Sequence, residues 1–161
     1  MSFLNRLFGL PASQQPAEVA SVQDPVFGHL EWEPLVGCWN GSLPFSLGGA
    51  FELIVEASDS QPQPPSEPQR QSFIQVGGRL VEIRNEAIAE FLPDFNSEGI
   101  EGEPYTAEEL ASALVPGEIR VSPEGLVVIA FYDTPENEIL GGQALRIHVE
   151  SDGTHFIELE G

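Results

Sequence analysis

The order of patterns along the chain predicts an α+β domain: a mostly antiparallel sheet with two to three helices packed on one face. Three observations carry that expectation. Apolar and polar residues alternate through most of residues 24–57, helical stripes with capped starts occupy residues 66–114, and alternation returns between residues 117 and 160. Strands, then helices, then strands, with no βαβ rhythm and no internal repeat, favour one sheet with a helical layer over a doubly wound fold.

Residues 1–23 read as a flexible tail with a short amphipathic start. Phe3, Leu4, Leu7, Phe8 and Leu10 fall at helical spacing until Gly9 and Pro11 end the pattern. The run is too short for a signal peptide with its cleavage site or for a bilayer span. Its single arginine, Arg6, offers little to a lipid surface, so no stable membrane insertion is expected. Such a start suits a docking turn, as in a structural or adaptor module. Residues 12–23, rich in Ala, Ser, Gln and Pro, read as linker. The remainder, residues 24–161, is of ordinary length for a single domain with its own core.

That core starts in residues 24–45, DPVFGHLEWEPLVGCWNGSLPF, where alternation on either side of a break at residues 33–37 reads as a hairpin. Trp32 and Trp39, the only tryptophans, fall in its two arms, where facing aromatics bury the most area. A third strand over residues 50–57 sets Phe51, Leu53 and Val55 on one face and Glu52, Ile54 and Glu56 on the other. Residues 58–69 are too rich in proline to pair in a sheet. Ser66 with Gln69 then forms a capping box, with Pro68 in the first helical turn. Phe73, Ile74, Val76, Leu80, Ile83, Ile88, Phe91 and Leu92 carry an apolar stripe to Pro93. Gly77 and Gly78 interrupt it. Two adjacent glycines inside a helix cost about 2 kcal/mol relative to alanine, which predicts two helices or a sharp kink.

Residues 94–104 read as an acidic loop, and Thr106 with Glu109 opens a short helix through Leu114. Four strands follow, over residues 117–122, 126–133, 144–150 and 155–160. Residues 126–131 are nearly continuous in apolar side chains, as expected of a central strand covered on both faces.

Charge narrows the class of partner. The chain of 161 residues has 26 acidic side chains against 6 arginines and no lysine, a net charge of −20. Arg6 and Glu18 cancel in the tail, so the domain carries the imbalance. Such a field repels nucleic acid and anionic lipid and steers a basic protein inward. The single cysteine, Cys38, excludes an internal disulfide and a multi-cysteine zinc site. It fits a reducing, cytoplasmic compartment and reads as a buried thiol.

Three constellations offer chemistry. If Asp152-Gly153 is a two-residue turn, Glu150 faces His155, and His148 lies on the same face with Arg146 beyond it. His148, Glu150 and His155 would then supply a ligand set suited to zinc, and so a metal-dependent enzyme, with Leu145, Ile147, Val149 and Phe156 on the opposite face. Asp94, Asn96 and Glu98 before Gly99 resemble the first half of a calcium loop, but Tyr105 stands where a bidentate glutamate is required. His29, Glu31 and Glu33 share one strand face, a general acid–base pair in its barest form. No phosphate-binding glycine loop, nucleophile elbow or HExxH pattern is present, and no cofactor is expected.

The stretch Asp24-Pro25-Val26-Phe27-Gly28-His29-Leu30-Glu31-Trp32, followed by Trp39-Asn40-Gly41, resembles a group of small uncharacterised bacterial domains that open with an FG, strand, W-x-G hairpin. The likeness continues into Gly141-Gly142-Gln143-Ala144-Leu145 and Asp152-Gly153 and covers most of residues 24–161, while Gly77-Gly78 departs from it. This resemblance implies a role like that of an immunity protein, which neutralises a toxin, and carries no catalytic residues. The resulting expectation is a non-enzymatic acidic protein-binding domain. Its binding residues would be the loop carboxylates Asp94, Glu98, Glu101, Glu103, Asp133, Glu136 and Glu138, set against a basic partner.

Overall fold

Eight strands stand in chain order across one sheet: β1 Ser21–Asp24, β2 Gly28–Glu33, β3 Cys38–Pro44, β4 Ala50–Glu56, β5 Leu114–Val121, β6 Val127–Asp133, β7 Ala144–Val149 and β8 His155–Glu160. The computed structural model describes residues 20–59, 61–97, 103–134, 136–137 and 139–161. All neighbouring strands are antiparallel except β4 and β5. A parallel pair cannot be closed by a tight turn and needs a crossover. That crossover contains the three helices of the described residues, α1 Glu67–Gly77, α2 Leu80–Ser97 and α3 Ala107–Ala113, which pack together on one face of the sheet. The α+β expectation holds.

Register assigns every side chain to a face. The helix side takes Leu30, Trp32, Trp39, Phe51, Leu53, Val55, Ile119, Val121, Val127, Ile129, Phe131, Leu145 and Ile147, all buried. Against them the helices set Phe73, Val76, Leu80, Ile83, Ala87, Ile88 and Leu110. Phe45, Phe51 and Phe131 meet edge to face at 5.2–6.0 Å in the middle, the arrangement aromatic quadrupoles favour. Trp32 and Trp39 face each other across β2 and β3 at 5.2 Å, as their places in the hairpin predict. Both capping boxes form, at Ser66 with Gln69 and at Thr106 with Glu109, and the glycine pair separates α1 from α2.

Several boundaries differ from those expected. β1 begins at Ser21, inside the stretch read as linker. Only one side chain of Ser21-Val22-Gln23 is apolar, Val22, which packs on the core opposite Leu30, so the strand pairs with β2 with too little alternation to announce it. α2 runs past Pro93 and Asp94 to Ser97, because Pro93 lies on the exposed side, where the carbonyl it leaves unbonded meets water. Ile74 is 54% exposed, since the buried row of α1 is Gln69, Ser72, Phe73 and Val76. β5 starts at Leu114 directly after α3, with no loop between them.

Gln69 joins these parts. Its Oε1 accepts from the Ser66 amide at 2.9 Å, while Nε2 donates to the carbonyls of Glu56 at 2.7 Å and Val121 at 3.3 Å. The side chain thus satisfies the ends of the parallel pair β4 and β5 and the start of α1 together. Gln69→Leu leaves buried polar groups without partners, and is expected to lower stability by about 2–3 kcal/mol in urea unfolding. An unchanged midpoint would rule out this bridging role.

Candidate functional site

Because the described helices lie on one side, the other face of the sheet is the candidate site. One row crosses it from β2 to β8: Glu31, Asn40, Ile54, Arg120, Val128, His148 and Phe156 are successive partners in register. The neighbouring positions on this face are dominated by carboxylates. Glu33 and Glu56 flank Cys38, Glu52 pairs with Glu118, and Glu158 and Glu160 come from β8. Val128 and Ala130 are buried even here, beside Arg120, Arg146 and His148, whose long or flat side chains can cover them. Central strand β6 is therefore buried on both faces, as its sequence predicts, but polar side chains rather than a second helical layer flank it on the open one.

The arginines and His148 on this face are already engaged. Arg120 meets Glu56 at 3.2 Å and Glu118 at 3.6 Å, Arg146 meets Glu160 at 2.7 Å, and His148 meets Glu158 at 2.7 Å. The Arg120 guanidinium is partly desolvated, which pulls its pKa down, but its glutamate partners outweigh that and hold it above the ordinary arginine value. Carboxylates remain in excess, and Glu31 and Glu52 stay exposed. Two aromatics project among them, Tyr132 at 39% and Phe156 at 48% exposure. Aromatic and arginine side chains are enriched at protein–protein interfaces, whereas glutamate, the commonest residue on this face, is depleted there.

Cys38 lies at the edge of this face, buried, with Sγ 3.4 Å from Asn40 Oδ1. Burial first, and then the nearby glutamates, push the thiol above its usual pKa despite Arg120. A thiol held protonated is a poor nucleophile, in keeping with its reading as a buried structural group.

The three histidines take separate places. His29 and Glu31 share the exposed face of β2, 3.5 Å apart, as expected, beside a shallow, open hollow that Asn40 and Ser42 also line. The proposed zinc set is not assembled. Ser151, Asp152 and Gly153 make a three-residue turn with Gly153 at φ +86°, closed by Glu150 N–H to Thr154 C=O at 2.9 Å. The register therefore shifts by one residue from the expected one. Val149 faces His155 and His148 faces Phe156, which puts His148 and His155 on opposite faces of the sheet. His148 stacks on Phe156 at 4.3 Å on the open face, His155 approaches Glu90 of α2 at 3.4 Å on the helix side, and Glu150 lies exposed in the turn. Among the described residues no group of three His, Cys, Asp or Glu side chains is placed to hold a metal ion.

The loop residues disperse likewise. Asp94 is exposed on the last turn of α2, and Glu103 and Glu136 are exposed on separate connections. Asp133 is committed to the fold, its Oδ2 accepting from the Leu140 amide at 2.7 Å. Asn96, offered as a calcium ligand, instead clips the approach to α3 through two bonds with the Tyr105 backbone at 2.9 and 3.0 Å. Glu98, Glu101, Glu138 and the amphipathic start at residues 1–10 lie outside the described residues. No described helix is long and apolar enough to cross a membrane. The chain matches no protein-family model, no curated protein and no solved structure.

Proposed function

We propose that this chain is a protein-binding module that receives a basic partner on the open face of its sheet, in the manner of an immunity-type inhibitor of a cationic protein. The observation that supports it is the sheet face itself. It is free of described helices, carries more carboxylates than cations, and exposes Tyr132 and Phe156 as anchors. A net charge of −20 speeds encounter with a basic protein, and the sheet carboxylates then pair with its arginines and lysines. The loop carboxylates Asp94, Glu103 and Glu136 add to the long-range field, and the contact residues are Glu31, Glu52, Glu158 and the two aromatics. Binding of this kind suits a cytoplasmic protein with one protonated thiol.

The test is capture from lysate of the source organism by the immobilised full chain, washed at about 0.1 M and then about 1 M salt, where the screening length falls from about 10 Å to about 3 Å. A basic protein should be retained at the first wash and released at the second. Reversing Glu31, Glu52 and Glu158 together to arginine is expected to weaken its binding about tenfold or more, whereas reversing Asp94, Glu103 and Glu136 mainly slows association. Equal loss from both triple variants would move the interface away from the sheet face. Retention indifferent to salt and to both variants would end the electrostatic reading.

A further inference from the structure

Arg84 departs from the charge pattern of the rest of the molecule. Arg70, Arg79, Arg120 and Arg146 each sit against a carboxylate at 2.7–3.2 Å. Arg84 meets none among the described residues, in a chain with 26 of them, although it is only 8% exposed. Its Nη1 donates to the Ala111 carbonyl at 3.5 Å and Nη2 to Asn85 Oδ1 at 3.3 Å, both long, and the buried Nε has no acceptor among the described residues. Phe45 lies 5.8 Å from the guanidinium carbon. A buried cation with donors unspent is costly unless something pairs with it.

Arg84 lines a groove of about 540 Å³ between the β3–β4 turn, the end of α3 and the start of β5. Phe45, Leu47 and Pro116 supply the apolar part of its lining, with Leu47 56% exposed, and Ser112 and Arg84 the polar part. The turn closes tightly on Pro116. Gly49, at φ +78°, would carry a Cβ 3.0 Å from the Pro116 ring, so glycine there lets the wall form. The volume is within the range of small-molecule sites, and the groove is an open one of mixed polar and apolar lining with one placed charge.

We propose that this groove binds a carboxylate carried on an apolar group of a few carbons, with Arg84 as its anchor. The guanidinium fork matches a carboxylate in two parallel hydrogen bonds, and the two long bonds it now makes are cheap to re-aim. The walls accept the apolar part. A net charge of −20 opposes each additional negative charge on a ligand, which favours a monoanion over phosphate. Two sources share this chemistry, a free organic acid and the C-terminus of a chain ending in apolar residues.

The full chain, labelled for amide NMR, is titrated at pH 7 with hexanoate and with N-acetyl-leucyl-leucine, and with hexylamine and inorganic phosphate as controls. Saturable shifts at Gly48, Ser112 and Val115 with either carboxylate, and none with hexylamine, are expected. Response to hexanoate alone assigns a free acid, and to the dipeptide alone a chain terminus. Arg84→Met should weaken the effective carboxylate about 10- to 100-fold, while its melting temperature without ligand stays at or above that of the parent. The proposal is overturned by absence of saturable shifts up to about 10 mM of both carboxylates, or by equal response to phosphate. Arg84→Met that melts lower yet binds as the parent does would make Arg84 a cap for α3 only. Should that variant not fold, Leu47→Glu keeps Arg84 and places a negative charge on the β3–β4 turn that walls the groove. Unchanged carboxylate shifts in it would equally overturn the proposal.

Discussion

Replacing Asp24 with alanine is expected to destabilise the protein by about 3–5 kcal/mol. The Asp24 side chain is only 1% exposed, and it works on two elements at once. Oδ1 accepts from the amides of Val26 at 2.9 Å and Phe27 at 3.1 Å, fixing the turn from β1 into β2. Oδ2 receives Arg70 Nε at 3.0 Å and Nη2 at 2.8 Å, tying that turn to α1. Phe27 and Phe73 pack at 4.8 Å beside this ion pair. Alanine removes the acceptor for all four donors and leaves the half-buried Arg70 without its main counter-charge. Asp24→Asn keeps the turn but not the ion pair, and should cost about 1–3 kcal/mol.

Proton linkage separates the two contributions. Burial pushes the Asp24 carboxyl up, but the hydrogen bonds from Arg70, Val26 and Phe27 outweigh it and hold the pKa below the usual aspartate value. A carboxylate with a depressed folded pKa stabilises the protein fully above the unfolded value of about 3.9. That stability is lost as pH falls through the folded value. The gap between parent and Asp24→Asn in urea unfolding should therefore be widest near neutrality and narrow below about pH 4. A gap of constant size down to pH 2 would mean that the charge of Asp24 contributes nothing.

What sequence could and could not reveal here follows from which interactions are local. The capping boxes at Ser66 and Thr106 are written within four residues each, and the Gly77-Gly78 break and the Trp32–Trp39 pairing are equally local. The β7–β8 register hung on one residue of loop length. Gly153 at the third place of Ser-Asp-Gly favours the longer turn with its left-handed glycine, and that single step separated His148 from His155. Arg84 lies within a stripe, beside Ile83 and near Ala87 and Ile88, where its buried position could have been read from helical spacing. What no spacing discloses is that its surroundings contain no carboxylate among the described residues, since that depends on α3 and the β3–β4 turn arriving from elsewhere. The open acidic face was half legible. Alternation in β4 placed Glu52 and Glu56 together, but only the β4–β5 crossover put every described helix on the other side.

Trp39→Ala is expected to cost a comparable amount, about 3–5 kcal/mol, and to loosen a second part of the molecule. The ring is 97% buried against Trp32 and β4, and its Nε1 donates to the Gln63 carbonyl at 2.7 Å. That bond pins the proline-rich connection between β4 and α1, a segment unable to pair with the sheet by itself. Three residues later the chain must present Ser66 as the cap of α1. Trp39→Phe retains most of the packing and removes only the donor, so its urea midpoint should fall by about 1 kcal/mol. Proteolysis between residues 58 and 66 should nonetheless quicken in it, and Trp32 becomes the only fluorophore of its kind. If the connection is cut no faster in Trp39→Phe than in the parent, the pin is not Nε1, and the loss in Trp39→Ala belongs to the core alone. If Trp39→Ala unfolds within about 1 kcal/mol of the parent, the aromatic pair is not the foundation of this sheet, since a buried ring of this size cannot be removed cheaply from a core that depends on it.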